Sequence, residues 1–149
     1  MNSLAAPEKA VPAEAGPRFH HVGLVVASID DCVQNIADTL QAHWTGRVFE
    51  DPLQRVKVTF LATRAGETQL ELVEPLGADS PVSRFLADNH GGLHHLCFET
   101  PDLDQELLRL RQRRCLIVSR PKPAVAFEGR RIAWVLSAEK LLLEFLEAA

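Results

Sequence analysis

The chain has 149 residues, enough for one compact domain that buries about 70% of the surface its unfolded form would expose. It is 46% hydrophobic and 24% charged with a net charge of −4, an ordinary globular composition that argues against general nucleic-acid affinity. No apolar run approaches the roughly 20 residues of a membrane span. Its three cysteines, Cys32, Cys97 and Cys115, form no CxxC pair and fall on apolar faces, which points to a reducing, cytoplasmic setting.

Residues 1–17 are rich in Ala, Pro and Glu and lack a basic segment before an apolar core; they read as a disordered tail and not as a signal peptide. A mostly apolar strand follows at 19–26. Ser28-Ile29-Asp30-Asp31 has the form of a capping box. Behind it Ile29, Cys32, Val33, Ile36, Ala37 and Leu40 recur at helical spacing and predict a helix over 29–42. Strands are predicted at 44–50, 55–63 and 68–74, the last two joined by a turn at Ala65-Gly66-Glu67. A linker helix over 80–89 starts from Ser80, with Pro81 at its first position, and stops at Gly91-Gly92. Then come a strand at 92–99, a helix at 103–114, a strand at 115–119, a Pro-broken loop at 121–128 and strands at 130–136 and 141–147.

The second half repeats the first. Phe19-His20-His21-Val22 matches Leu93-His94-His95-Leu96 at a spacing of 74, and Ser28 matches Asp102 at the same spacing. Residues 55–61 match 130–136 at 75, and Leu70-Glu71-Leu72 matches Leu143-Glu144-Phe145 at 73. Collinear matches at nearly one period mark two copies of one unit. The expected fold is therefore α+β, a single domain over 18–149 made of two tandem βαβββ modules at about 18–76 and 92–149. Their curved mixed sheets should form two layers, each covered by one helix and facing a shared cleft with its other side.

The repeat also duplicates polar residues where apolar ones are expected. Glu71 and Glu144 interrupt strands as apolar as Leu141-Leu142-Leu143, and a carboxylate buried there without a partner is very costly. A lone strand histidine is more often a core or edge residue than a ligand. Two His and two Glu at equivalent places of a repeat instead suggest one shared site. Pseudo-twofold symmetry would bring one histidine of each pair and both glutamates together as a mixed N/O site for a divalent first-row metal, Co, Ni, Mn, Zn or Fe. Either His20 and His94 or His21 and His95 would face the cleft, and the other pair would point away.

Between Arg109 and Arg131 there are eight basic residues against the single acid Glu128. Part of this is a solvated helix end that favours cations. Within it Arg113, Arg114, Lys122, Arg130 and Arg131 are candidates to hold an anionic, phosphate-bearing ligand.

These stretches resemble the vicinal oxygen chelate superfamily, the glyoxalase and bleomycin-resistance fold, and within it the methylmalonyl-CoA epimerase family. The resemblance spans roughly residues 19–147. Its most specific part is Glu74-Pro75-Leu76, Asp79-Ser80-Pro81 and Phe85-Leu86 followed by Gly92-Leu93-His94-His95. It implies metal ligation by His21, Glu71, His95 and Glu144, and proton transfer by Glu144 and Glu71. The implied reaction removes and returns the proton beside a thioester carbonyl, on acyl-CoA or a related thioester, in a homodimer. Three departures stand out: Lys57 and Thr59 are the only polar groups on the third strand, where some epimerases carry a glutamate; the usual aromatic pair of the first helix is missing; and the turn before the last strand is shortened to Ser137-Ala138-Glu139-Lys140. The alternatives on the same fold are a glyoxalase I-like lactoylglutathione lyase and a metal-free small-molecule binding or resistance protein.

Overall fold

The computed structural model describes residues 16–63 and 69–149. Most of the 1–17 tail and the turn at Ala65-Gly66-Glu67 lie outside the described residues. The first module runs β1 (Arg18–Val25), α1 (Ile29–Leu40), β2 (His43–Asp51), β3 (Val56–Ala62) and β4 (Gln69–Pro75). After α2 (Ser83–Asn89) the second runs β5 (Gly92–Thr100), α3 (Leu103–Gln112), β6 (Leu116–Pro123), a 3-10 turn (Val125–Phe127), β7 (Arg131–Leu136) and β8 (Leu142–Glu147). The βαβββ order occurs twice, as the repeat predicts.

Local chemistry explains the helix starts. The Ser28 side chain accepts the N–H of Asp31, and Asp102 accepts that of Gln105, each satisfying a first-turn donor. α1 then buries Ile29, Val33 and Ala37 against Leu61 and Leu72, while α3 buries Leu103, Leu107 and Leu110 against Ala133, Val135 and Phe145. Two predicted boundaries move. α2 begins at Ser83 and not at Ser80, because Val82 turns inward to join Val25, Val56, Val58 and Val73. β6 runs to Pro123, through the stretch predicted as loop, because it is an edge strand, where proline forfeits no ladder bond.

The expected two sheets are one. The strand order is β2-β3-β4-β1-β5-β8-β7-β6, with β1 and β5 paired antiparallel as the seam between modules. Each module alone would leave its first strand as an open edge, and an open edge next to another one pairs with it. The seam carries two β-bulges. Phe19 faces Phe98 and His21 faces Cys97, so His20 is an extra residue; Gly23 faces His95 and Leu24 faces Leu93, so His94 is another.

The sheet curls until its two outer hairpin tips meet. The buried Asp51 carboxylate accepts the N–H groups of Leu53 and Gln54 at 3.0 and 2.9 Å within its own turn. It also accepts the N–H of Val125, in the other module, at 2.9 Å. Phe127, beside Val125, packs its ring against Phe60 and His21.

Candidate metal centre

Two rows of paired residues cross the seam in opposite directions. One reads Phe60, Glu71, Gly23, His95 through β3, β4, β1 and β5. The other reads Trp134, Glu144, Cys97, His21 through β7, β8, β5 and β1. Each is an aromatic, a glutamate, a small residue and a histidine. Strand neighbours in register share a face, so both rows deliver their polar ends to the middle of the concave side.

There His21, Glu71, His95 and Glu144, all buried, bring one ligand atom each within 4.8 Å of one another. Nε2 of His95 lies 3.2 Å from Oε2 of Glu71 and 3.2 Å from Oε2 of Glu144. Nε2 of His21 lies 3.2 Å from Oε2 of Glu71, 3.9 Å from Oε2 of Glu144 and 3.2 Å from Nε2 of His95. Gly23 makes room for this: a Cβ there would stand 2.0 Å from Cε1 of His95.

The cluster is built for positive charge. Burial alone would lower the His95 pKa, but its hydrogen bonds to Glu144 and Glu71 hold it at about 9. Glu71 is likewise buried, which would raise its pKa, yet the charge and hydrogen bonding of His21 and His95 bring it well below the usual carboxylate range. Glu144 Oε1 is the one buried side-chain polar atom among the described residues with no hydrogen-bond partner. Two imidazoles and two carboxylates are a donor set for a divalent first-row cation. Donors at about 2.1 Å from such an ion stand roughly 3.0–3.4 Å apart, the spacing most of these atoms already have. The four residues could hold one.

Glu71, His95 and Glu144 line a cavity of about 360 Å³ whose walls include Val56, Val58, Val73, Val82, Ile132 and Leu142. The sequence matches the Glyoxalase/Bleomycin resistance protein/Dioxygenase superfamily over residues 10–134. The chain belongs to this superfamily. Relatives carry the likeness further. The YqjC protein of Bacillus subtilis, of uncharacterized function, is 32% identical over 135 residues, covering 87% of this chain and 91% of its own. An ethylmalonyl-CoA/methylmalonyl-CoA epimerase of Cereibacter sphaeroides is 29% identical over 119 residues, covering 79% and 87%. The crystal structure of methylmalonyl-CoA epimerase from Mycobacterium tuberculosis superposes with a TM-score of 0.82 at 25% identity, covering 94% of each chain.

On this superfamily fold the sequence-predicted residues separate into two groups. His21, Glu71, His95 and Glu144 come together. Of the five basic candidates only Lys122 lines the cavity. Arg130 pairs with Glu99 at 2.9 Å, and Arg131 with Glu147 and with Asp104 at 3.0 Å. Arg113 and Arg114 are exposed at the C-terminal end of α3. No helix among the described residues is long and apolar enough to cross a membrane.

His20 and His94 do not turn away from their neighbours as strand alternation predicts. The bulges swing them round, so Nδ1 of His20 lies 2.8 Å from Nδ1 of His21, and Nδ1 of His94 lies 3.0 Å from Nδ1 of His95. Burial, helped by the neighbouring imidazole, lowers the pKa of both, that of His94 to about 4. Sequence reasoning also missed Phe60 and Trp134, whose rings stand 5.6 Å from His21 and 4.7 Å from His95. They are 74 residues apart, so the repeat holds one period here where matching the flanking basic residues gave 75. The polar residues of β3, Lys57 and Thr59, stay outside the site: Lys57 pairs with Glu74 at 3.5 Å, and Thr59 accepts from the Trp44 indole and donates to the Arg47 carbonyl.

Proposed function

We propose that this protein is a metal-dependent epimerase or isomerase that moves the proton beside the carbonyl of an acyl thioester, with His21, Glu71, His95 and Glu144 as metal ligands and Glu144 and Glu71 as the proton-transfer groups. The observation that carries the reading is a four-donor cluster, three of whose residues line an apolar cavity, with one carboxylate oxygen, Glu144 Oε1, left over. A divalent ion held by the four residues would supply the positive charge that offsets negative charge developing on the thioester oxygen. Glu144 offers Oε2 to the cluster and keeps Oε1 as the base that takes the substrate proton. Glu71 enters from the opposite module and is held ionised by His21 and His95, so it is the base for the opposite face; the proton it would return in the forward direction is one it first takes from solvent. The valine and leucine walls lower the local dielectric and strengthen each charge interaction. The relatives named for methylmalonyl-CoA and ethylmalonyl-CoA epimerisation support a malonyl-type thioester as substrate, and Lys122, the one basic candidate that lines the cavity, would meet its anionic part. We take the working form to be a homodimer.

The test is deuterium wash-in. Co(II)-loaded protein incubated with methylmalonyl-CoA or ethylmalonyl-CoA in heavy water should give one exchanged deuteron beside the thioester, read by mass spectrometry, and chelator-treated protein should give none. Metal-loaded protein that exchanges neither substrate, but consumes the glutathione hemithioacetal of methylglyoxal, would replace this reading with the lyase one.

A pH dependence follows from His95. Held at about 9, it carries a proton at neutral pH when no metal is present, and that proton must leave before Nε2 can ligate. Apparent Co(II) affinity should therefore rise about tenfold per pH unit from 7 towards 9 and flatten above it. Titrations at three pH values in that window check this; an affinity that does not change with pH would show His95 already neutral.

A further inference from the structure

We propose that His20 and His94 are a matched pair of positioning residues, each fixing the tautomer and ring orientation of the metal-facing histidine that follows it. This rests on the metal reading of the four-residue cluster. In an unbroken strand, neighbours point to opposite faces and their rings cannot meet. Here each of the two is the extra residue of a β-bulge, and bulges re-aim side chains. The result is the same contact twice: Nδ1 to Nδ1 at 2.8 Å for His20 and His21, and at 3.0 Å for His94 and His95.

Two ring nitrogens at that distance share one proton, and ligation of a cation at Nε2 would fix where it sits. Nε2 of His21 and Nε2 of His95 face each other and the carboxylates, so each must present a bare lone pair to ligate a cation. The proton is then on Nδ1 of His21 and of His95, and Nδ1 of His20 and of His94 accepts it. The accepting rings are themselves held. His20 packs edge-on to Phe127 at 5.5 Å, and His94 packs edge-on to Phe85 at 4.8 Å and to Trp134 at 6.0 Å. An outer imidazole behind each inner one does for this centre what a carboxylate or carbonyl does behind many ligand histidines. One such contact could be a chance neighbour. Two, on opposite sides of the site and 74 residues apart, are a built feature.

The experiment compares Co(II) binding and the visible Co(II) spectrum of the full chain with those of His20→Leu, His94→Leu, His20→Asn and His94→Asn. Asparagine can place its Oδ1 where Nδ1 stood and keep the acceptor; leucine fills the space without one. Each leucine variant should bind Co(II) about 10- to 100-fold more weakly with an altered band, and each asparagine variant should stay within about threefold of wild type. In Zn-loaded wild type, ¹⁵N–¹H correlation of the rings should show His21 and His95 protonated at Nδ1, a readout that needs no variant to fold. Leucine variants that bind like wild type, asparagine variants as weak as leucine, or rings protonated at Nε2 would each overturn the proposal. Wild type that binds no Co(II) at all would remove the metal reading and this inference with it, whereas wild type that binds beside four equal variants removes this inference alone.

Discussion

Glu144→Gln should keep Co(II) binding within about tenfold and lose thioester deuterium exchange by about 10²–10⁴-fold, while Glu144→Ala should lose both. The glutamine retains a neutral oxygen donor at the place of Oε2, 3.2 Å from His95 Nε2, but has no basic oxygen left at the place of the unpartnered Oε1. Alanine removes donor and base together. Its loss of metal affinity should exceed the roughly 100-fold that removing an outer partner costs. Equilibrium Co(II) titration beside the exchange assay separates the two roles. A Gln variant that exchanges deuterium at the wild-type rate would move the base away from Glu144, and an Ala variant that still binds Co(II) tightly would take Glu144 out of the ligand set.

Gly23→Ala should abolish tight Co(II) binding and lower stability by about 1–3 kcal/mol, a large effect for one methyl group. The added carbon would lie 2.0 Å from Cε1, 2.4 Å from Nδ1 and 2.5 Å from Nε2 of His95, so it overlaps the ring itself and not a flexible tail. Either His95 leaves the cluster or the β1–β5 seam shifts, and both separate Nε2 from the two carboxylates. The position is specific. Its counterpart across the pseudo-twofold, Cys97, already carries a side chain and is fully buried, so the crowding belongs to one row only. Urea unfolding with and without Co(II) measures both effects. A variant that binds metal as tightly as wild type would mean that His95 does not ligate from the position described.

Much of this was legible in the sequence because duplication prints each informative residue twice. A single Glu in an apolar strand says little, but Glu71 and Glu144 in matching strands, each behind a matching His-His pair, point to one shared cluster, and the four residues do come together. The helix caps at Ser28 and Asp102 were legible because their chemistry is local, spanning three residues. What was hidden is what side-chain pattern does not encode. The joining of two sheets into one is made by backbone bonds along β1 and β5, which leave no mark on apolar alternation. A bulge adds a residue without disturbing composition, so alternation sent His20 and His94 to the wrong face. Arg130 and Arg131 looked like ligand-binding cations because Glu99, Asp104 and Glu147, which they meet, are distant in sequence. The start of α2 was misplaced because a good local signal, Ser80-Pro81, yielded to the tertiary pull of Val82 into the core.

The seam also sets an order of events in folding. Within each module the hairpins and the helix can form from neighbouring stretches of chain, but β1 meets β5, and Asp51 meets Val125, only by closing loops of some seventy residues. Contacts of that range come at a high entropic cost and tend to form late. His21, Glu71, His95 and Glu144 straddle the seam, so they converge only in that last step. A bound ion would then stabilise the native state while leaving the folding barrier nearly untouched, which means that it slows unfolding and hardly changes refolding. Stopped-flow unfolding and refolding with and without Co(II) would show this as a shift in one limb of the denaturant dependence. In kinetic terms the ion would act as a latch on a structure already assembled and not as a template for assembling it.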